Sequence, residues 1–170
     1  MAEKFFVVSP TSKNCLAQAC SQGLPINRTP PIQIIVHFRG DSIFHSRLSP
    51  APVFTCLFLG PGAHKAMEGL VRWCEAYANK MPPKLSFLDL SSFKEKRLAI
   101  LQEIRQIPFG TRHTCEEIAE RTKTHTEEVL IACQENPLPL LIPCHRVLSI
   151  HDYPGGEKLY KALTEFEELS

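Results

Sequence analysis

The chain is 170 residues long, enough for one domain or two small ones, and its 44% hydrophobic and 22% charged residues are typical of a globular protein. Its formal net charge of +1 excludes a global attraction to nucleic acid or to a membrane surface, so any affinity for DNA must come from a local patch. No apolar run approaches the roughly 20 residues that span a bilayer, and the N-terminal EKFFVVSP is too short for a secretory signal. We therefore expect a cytoplasmic protein with no membrane partner.

The N-terminal half predicts a small sheet and one helix. Residues 32–38 and 53–59 are β-rich apolar runs, and residues 41–48 between them alternate as a middle strand, so an antiparallel sheet is expected. Residues 64–79 then place Met67, Leu70, Val71, Cys74 and Tyr77 at helical spacing. Residues 1–88 should form an α/β lobe, in which the first thirty residues stay mostly unassigned.

Seven cysteines cannot all pair within one chain, so at least one thiol should be free. Cys15 and Cys20 form a C-x4-C pair that could bind zinc together with His37 or His64. The alternative, which we favour, is that Cys15 and Cys20 lie on a surface turn or helix and bind no metal.

The C-terminal half predicts short helices. Residues 91–110 (SSFKEKRLAILQEIRQIPFG) start with a serine N-cap and end at a Pro-Phe-Gly stop. Thr114 with Glu117, and Thr124 with Glu127, have the T-x-x-E spacing of two capping boxes, so two short helices should follow closely. This outline fits a DNA-binding helix-turn-helix, but by itself it more often belongs to a helical hairpin that serves only packing.

The order of these motifs resembles the O6-alkylguanine-DNA alkyltransferase family over residues 91–156. The segment NPLPLLIPCHRV places Asn136 eight residues before Cys144, His145 follows directly, and YPGG occupies residues 153–156. The resemblance implies an α+β fold in which a ribonuclease-H-like α/β lobe, residues 1–88, precedes a helix-turn-helix alkyltransferase domain, residues 89–170.

The family's activity is irreversible, suicidal repair without a cofactor. The resemblance implies that a monomer transfers an alkyl group, such as methyl, from O6-alkylguanine in double-stranded DNA to Cys144, with O4-alkylthymine as a further candidate substrate. The reaction needs a thiolate, and an ordinary cysteine is mostly protonated at pH 7, so a base is required. His145 would take the proton through a bridging water, oriented by a carboxylate near the C-terminus, for which Glu167 has the matching spacing from Tyr153.

The resemblance also assigns supporting roles. Asn136 should bridge the helix pair to the active-site loop, and Arg146 should anchor that loop through a salt bridge rather than contact substrate. Tyr153 should wall the guanine pocket, although a core tyrosine is the alternative. The implied substrate-binding residues are Tyr153, Pro154, Gly155, Gly156, Cys115 and His113.

Several departures from the family pattern fall on the side that would face DNA. Glu127 stands where an arginine usually fills the space of the flipped base, and an acidic group there repels phosphate. Cys115 stands where family members have a tyrosine that supplies a proton. The mechanism therefore lacks this proton donor, unless His113 takes over the role. We therefore expect weak affinity for intact duplex. The candidate DNA-binding residues are Arg112, Arg121, Lys123, Glu127 and Ala132, and the cations among them could equally form a solvated surface.

Two other functions stay open. One is a degenerate family member that binds alkylated DNA without efficient transfer, although the presence of Cys144 argues against it. The other is a thiol hydrolase that uses Cys144 and His145 as a dyad, which is disfavoured because such pairs are normally distant in sequence.

Overall fold

A four-stranded sheet forms one layer of the protein. The structure, a computed structural model, describes residues 4–7, 29–52, 54–61 and 64–168. Its strands are β1 (Lys4–Val7), β2 (Ile32–Arg39), β3 (Ser42–Pro50) and β4 (Thr55–Leu59), in the spatial order β1-β4-β2-β3.

The sheet is mixed, which corrects the antiparallel arrangement expected from the sequence. Strand β2 pairs antiparallel with β3 but parallel with β4, so β3 (42–50) lies at an edge and not in the middle. The reason is the short connection after Pro50, which crosses the start of β2. There the backbone N–H of Ala51 donates to the Pro31 carbonyl at 3.1 Å. The chain thereby reaches the free side of β2.

Helix α1 (His64–Ala78) confirms the helix expected at residues 64–79. It buries one apolar face, formed by Ala66, Leu70, Trp73, Cys74, Tyr77 and Ala78. Each large side chain buried in this way stabilises the fold by about 1.5–3 kcal/mol. The indole N–H of Trp73 donates to the Pro83 carbonyl at 2.9 Å, which fixes the start of the extended connector after the helix.

The C-terminal half is helical. It contains α2 (Glu95–Gln106), α3 (Cys115–Thr122), α4 (Thr126–Gln134), a 3-10 turn (Cys144–Arg146) and α5 (Glu157–Glu168). The expected serine N-cap of α2 is wrong, because that helix begins after Lys94, whose side chain makes no cap bond. The Ser91 hydroxyl instead bonds Asp89, in a turn that precedes the helix.

One of the two capping boxes is confirmed and the other is displaced by one residue. The Thr114 hydroxyl accepts from Glu117 N at 3.1 Å, and Glu117 Oε2 accepts from Thr114 N at 2.8 Å. In α4 it is Glu128, not Glu127, that accepts the backbone N–H of the residue before the helix, His125, at 3.0 Å. Glu127 is thereby left free to face solvent.

The core is continuous between the sheet and the helices. Strand β3 reaches the loop after α4 through Ser46, whose N–H donates to the Pro137 carbonyl at 2.8 Å and whose hydroxyl donates to the Pro139 carbonyl at 3.0 Å. The edge strand therefore supports the loop that carries Cys144.

Two sequence expectations concern metals and membranes. Cys15 and Cys20 lie outside the described residues; within the described ranges, no three His, Cys, Asp or Glu side chains are arranged to hold a metal ion. None of the helices in that part of the chain combines the length and apolarity needed to cross a bilayer.

Candidate active site

The loop between α4 and the 3-10 turn is organised by Asn136. Its amide nitrogen donates to the Ile142 carbonyl at 3.0 Å, and its Oδ1 accepts from Leu138 N at 2.9 Å. The amide also donates to Cys144 Sγ at 3.2 Å. Asn136 is 4% exposed, so these bonds are shielded from water and their loss would leave buried groups unpaired. All three partners lie in residues 138–144, so the side chain of Asn136 holds this loop together, and its role as a bridge to the helix pair stays a prediction.

Cys144 is fully buried at the start of the 3-10 turn. Besides Asn136, its sulfur contacts the thiol of Cys133, which comes from the last turn of α4. That hydrogen bond, together with burial, raises the pKa of Cys133 far above its ordinary value. Cys133 therefore stays a thiol that can donate to Cys144, and the sulfur of Cys144 lies among polar groups instead of hydrocarbon alone.

His145 and Glu167 form a close buried pair. The Nε2 of His145 lies 2.6 Å from Glu167 Oε1, and the two side chains are 1% and 5% exposed. Burial lowers the pKa of His145, and it outweighs the opposite effect of the Glu167 charge, so the ring is neutral near pH 7.

Arg146 balances the charge of Glu167. Its Nε donates to Oε2 at 2.9 Å and its Nη2 donates to Oε1 at 3.0 Å, while Nη1 donates to the Ile107 carbonyl at 2.8 Å. The expected salt-bridge role of Arg146 is thus what the geometry shows. Burial opposes ionisation of Glu167, but the charges and hydrogen bonds of His145 and Arg146 prevail and lower its pKa to about 2.

The protonation of His145 follows from this pairing. An ionised carboxylate only accepts hydrogen bonds, so Nε2 must carry the ring proton. The other ring nitrogen, Nδ1, is then a lone-pair base, and it has no hydrogen-bond partner among the described protein atoms. A neutral imidazole held in this tautomer, next in sequence to a buried cysteine, can accept a proton from it through a bridging water molecule.

Tyr77 also reaches Glu167, a contact that no sequence pattern predicted. Its hydroxyl donates to Glu167 Oε1 at 3.0 Å across 90 positions of sequence, and its side chain is fully buried. In sequence Tyr77 is indistinguishable from the other apolar-face residues of α1. Cys133 was missed for the same reason, because a cysteine on an amphipathic helix predicts only core packing.

The residues expected to bind substrate differ in their exposure to solvent. Tyr153 is 4% exposed, and burial raises its pKa, to which the proximity of Cys144 adds. Pro154 is half-buried, whereas Gly155 and Gly156 are exposed. Cys115 is buried with a pKa raised by burial to about 11, and its Sγ lies 3.8 Å from the Leu148 carbonyl.

His113 has a structural partner. Its ring Nδ1 lies 3.2 Å from Glu117 Oε2, and its backbone pairs with the segment after Cys144 through His113 N to the Arg146 carbonyl at 3.0 Å. The ring is thus bound to the capping box of α3.

The candidate DNA-binding residues are less favourably placed. Arg112 is ion-paired with Glu168, and Arg121 with Glu103 at 3.1 Å. Ala132 is 1% exposed, so its side chain faces the core and not the surface. Lys123 and Glu127 are exposed, as expected.

Comparison with known proteins finds a match in the C-terminal half of the chain. The sequence model of the 6-O-methylguanine DNA methyltransferase DNA-binding domain matches residues 95–168, which contain Asn136, Cys144, His145 and Glu167. Through this segment the chain is similar to the O6-alkylguanine-DNA alkyltransferase family. The segment that matches the alkyltransferase model includes both members of the His145–Glu167 pair, whereas Tyr77 lies outside it.

Curated relatives support the assignment over the same region. A methylated-DNA–protein-cysteine methyltransferase of Methanocaldococcus vulcanius is 38% identical over 85 residues, which are 48% of this chain and 51% of the relative. One of Saccharolobus solfataricus is 40% identical over 74 residues, 42% of this chain and 49% of the relative. The chain therefore spans about half the length of the curated alkyltransferases it matches.

Solved structures share the fold over more of the chain. The Mycobacterium tuberculosis OGT in complex with DNA superposes with a TM-score of 0.62 at 22% identity, covering 79% of this chain and 85% of that one. The O6-methylguanine methyltransferase of Mycobacterium tuberculosis, in a second crystal structure, gives a TM-score of 0.56 at 20% identity, covering 81% and 93%. The mixed α+β architecture is thus that of alkyltransferase structures, with the N-terminal sheet included.

Proposed function

We propose that the protein repairs DNA by transferring an alkyl group, irreversibly, from O6-alkylguanine to Cys144. The observation that carries this proposal is the buried arrangement of His145 and Glu167 beside the cysteine. A neutral imidazole with a free Nδ1 lies next to the cysteine in sequence, and its other nitrogen is held 2.6 Å from an ionised carboxylate. Such a base is what a buried thiol needs to become a nucleophile near pH 7.

The proposed step uses no cofactor. Nδ1 of His145 accepts the Cys144 proton through a bridging water, and the thiolate attacks the alkyl carbon. An S–C bond forms, the C–O6 bond breaks, and its electron pair leaves with guanine, which takes up one proton. Asn136 donates a hydrogen bond to the sulfur at 3.2 Å, which stabilises it as the anion before attack. The raised pKa keeps neighbouring Cys133 a neutral thiol, so it adds no negative charge beside that anion. The thioether cannot be reversed by these groups, so each chain would act once.

The alkylated guanine must reach the sulfur of Cys144, which is 0% exposed. We propose that the segment 148–156, which carries Tyr153, moves to admit a flipped nucleotide. Ser149 and Asp152 have positive φ angles of 60° and 56°, which are uncommon for residues other than glycine, so the backbone of this segment is strained at these two residues. A purine could then lie against the ring of Tyr153, with Pro154 and the two glycines at its edge.

The finer domain assignment is part of the same proposal. Residues 1–88 would be a ribonuclease-H-like lobe and residues 89–170 the alkyltransferase domain, with α3 and α4 as a helix-turn-helix. Support comes from the mixed sheet order and from Lys123, whose φ of 55° ends α3 three residues before Thr126. We also propose that the protein is a cytoplasmic monomer that acts on alkylated double-stranded DNA. The five cysteines in the described part of the chain are free and buried, which supports a reducing compartment, since free thiols persist there.

The direct test is to incubate the protein with O6-benzylguanine and measure its intact mass. We expect one benzyl adduct, mapped to Cys144 by peptide analysis and lost in Cys144→Ser. His145→Gln should keep the fold and slow adduct formation by about 10²-fold or more. An unmodified wild-type mass after prolonged incubation of the folded protein would contradict alkyl transfer.

A second function is favoured by two observations. Complete burial of Cys144, together with the acidic Glu127 on α4, suits a relative that binds alkylated DNA without efficient transfer. Binding to an oligonucleotide containing O6-methylguanine, tighter than to the unmodified sequence and with no covalent product, would support this function against the first.

A further inference from the structure

Tyr77 joins α1, near the sheet, to the carboxylate beside His145. We propose that Tyr77 is a positioning residue for the base: its hydroxyl occupies Glu167 Oε1 and limits how strongly that oxygen holds the His145 proton. The inference rests on the proposed function in that it assigns His145 as the base. It goes beyond that function because it gives the N-terminal half of the chain, outside the family match, a part in the chemistry.

Glu167 Oε1 is shared among donors. It accepts from Tyr77 Oη at 3.0 Å, from His145 Nε2 at 2.6 Å and from Arg146 Nη2 at 3.0 Å. These donors compete for the electron density of one oxygen. The positive end of the Tyr77 O–H dipole also lies close to the imidazole, so it disfavours a positive charge on that ring.

The tyrosine is held so that its hydroxyl has little choice of partner. Its ring stacks on Trp73 with 5.4 Å between the ring centroids, and the rings of Phe54, Phe109 and Phe166 lie 5.5–6.0 Å from it, centroid to centroid. Burial raises the pKa of Tyr77, and the Glu167 charge adds to this effect, so the hydroxyl stays a donor throughout the working pH range. A core tyrosine with a purely structural role would ordinarily donate its hydroxyl hydrogen to a backbone carbonyl, as Tyr160 does to Val147 at 3.1 Å.

Several charged and titratable groups act on the pair. The charged or titratable groups that act on Glu167 are His145 and Arg146. The backbone N–H of Gly110 is a weak neutral donor to its Oε2 at 3.4 Å. Those on His145 are Glu167, Arg146 and Arg112. The electrostatic influence of Glu167 reaches Tyr77 and Tyr153, both of which stay neutral. Besides His145, Tyr77 is the one neutral side-chain donor hydrogen-bonded to the carboxylate among the described residues.

Tyr77→Phe removes the hydroxyl and keeps the ring. Oε1 then binds the His145 proton more strongly, so the imidazolium becomes more favourable and the pKa of His145 rises. We expect a rise of about half a pH unit. The acidic limb of the rate of O6-benzylguanine transfer should move to higher pH by the same amount, because a protonated ring cannot act as the base, while the rate on the plateau changes little.

The experiment is an NMR titration of the His145 ring nitrogens in the full chain, with the resonances assigned by their loss in His145→Gln. Tyr160→Phe is the matched control, because it deletes a tyrosine hydroxyl that bonds a backbone carbonyl and has no hydrogen bond to Glu167. Tyr77→3-fluorotyrosine, whose hydroxyl is a stronger donor, provides a second variant and should shift the titration the other way.

The outcomes separate the two proposals. A higher His145 pKa in Tyr77→Phe, an opposite shift with fluorotyrosine and no change in Tyr160→Phe would support the inference. Coincident titrations in wild type and Tyr77→Phe, or a rate that falls equally at every pH, would overturn it. Absence of a benzyl adduct in wild type would instead contradict alkyl transfer, and the ring titration would still decide the role of Tyr77.

Discussion

Arg146 and Glu167 form a buried ion pair through three hydrogen bonds: Arg146 Nε donates to Glu167 Oε2 at 2.9 Å and to Oε1 at 3.2 Å, and Nη2 donates to Oε1 at 3.0 Å. The two side chains are 9% and 5% exposed, so water screens the pair very little. The pair joins the turn that carries Cys144 to the last turns of α5. Arg146 also supplies the permanent positive charge that keeps Glu167 ionised beside a neutral His145.

Arg146→Met should therefore destabilise the protein by about 3–5 kcal/mol, because it leaves a buried carboxylate without its cation and the Ile107 carbonyl without a donor. Urea unfolding followed by circular dichroism measures the loss. Arg121→Met is the control, since the Arg121–Glu103 pair is exposed and should contribute less than about 1 kcal/mol. Equal effects of the two substitutions would show that burial adds nothing to the Arg146 pair.

Stability should fall in acid in two steps that these groups control. The folded pKa of Glu167 is about 2, below the ordinary value of 4.5, so its stabilisation is complete above about pH 4.5 and is lost as the pH falls toward 2. The difference corresponds to about 3 kcal/mol. The folded pKa of His145 is also lowered, so the unfolded chain binds its proton first and stability declines as the pH falls through about 6.5.

The measurement is the free energy of unfolding against pH for wild type and Glu167→Gln. Glu167→Gln should be less stable at pH 7 and should lack the step below pH 4.5. A variant curve parallel to that of wild type from pH 5 to 2 would rule out Glu167 as the source of the acid dependence.

Asn136→Ala should lower both stability and the reactivity of Cys144. It removes the donor to the Ile142 carbonyl and the acceptor for Leu138 N, at a cost of about 3 kcal/mol, and it removes the amide hydrogen bond to Sγ. Asn136→Asp keeps an acceptor for Leu138 N but offers the sulfur a negative charge in place of a donor. We expect Cys144 to be alkylated by iodoacetamide more slowly in Asn136→Asp than in wild type at pH 7, and mass spectrometry gives both rates. An unchanged rate in the aspartate variant would show that the amide does not assist the sulfur.

The two glycines of the 153–156 turn should differ in their tolerance of alanine. Both have positive φ, 103° at Gly155 and 94° at Gly156, so both substitutions cost about 1–3 kcal/mol in backbone strain. A Cβ at Gly155 would in addition lie 2.7 Å from Leu159 Cδ1, whereas one at Gly156 would meet open space. The Tm measured by thermal unfolding should therefore be lower for Gly155→Ala than for Gly156→Ala. The reverse order would mean that Leu159 moves aside without cost.

Sequence patterns predicted the parts of this fold that depend on local chemistry. Helical spacing located α1, and the Thr114–Glu117 box located the start of α3, because both signals reside within a few residues of the element itself. The predicted start of α4 was one residue too early. Thr124 and Glu127 have the same spacing as His125 and Glu128, the pair that actually caps the helix. Local spacing does not distinguish two overlapping boxes.

Non-local contacts were not predictable in the same way. The parallel pairing of β2 with β4 depends on where the chain crosses after Pro50, and no residue pattern in β4 encodes its partner. The Tyr77–Glu167 bond joins residues 90 positions apart, and the motif around Cys144 identifies only the residues near it. The motif therefore predicted Cys144, His145, Asn136 and Glu167, whereas Tyr77 and Cys133 needed coordinates because their signals in sequence are those of ordinary core residues.

The acidic start of α4 provides a test of DNA affinity. Glu127 is exposed in the first turn of the helix that the proposed function places against DNA, where its charge repels phosphate. Glu127→Arg changes the local charge by two units, so it should tighten binding to a duplex containing O6-methylguanine by about tenfold or more at low salt and steepen the salt dependence by about one counterion. Glu165→Arg makes the same change of charge on the exposed face of α5 and should have a much smaller effect. Fluorescence anisotropy over a series of salt concentrations measures both variants. Equal tightening in the two would mean that net charge alone governs binding, and that α4 has no special place in the complex.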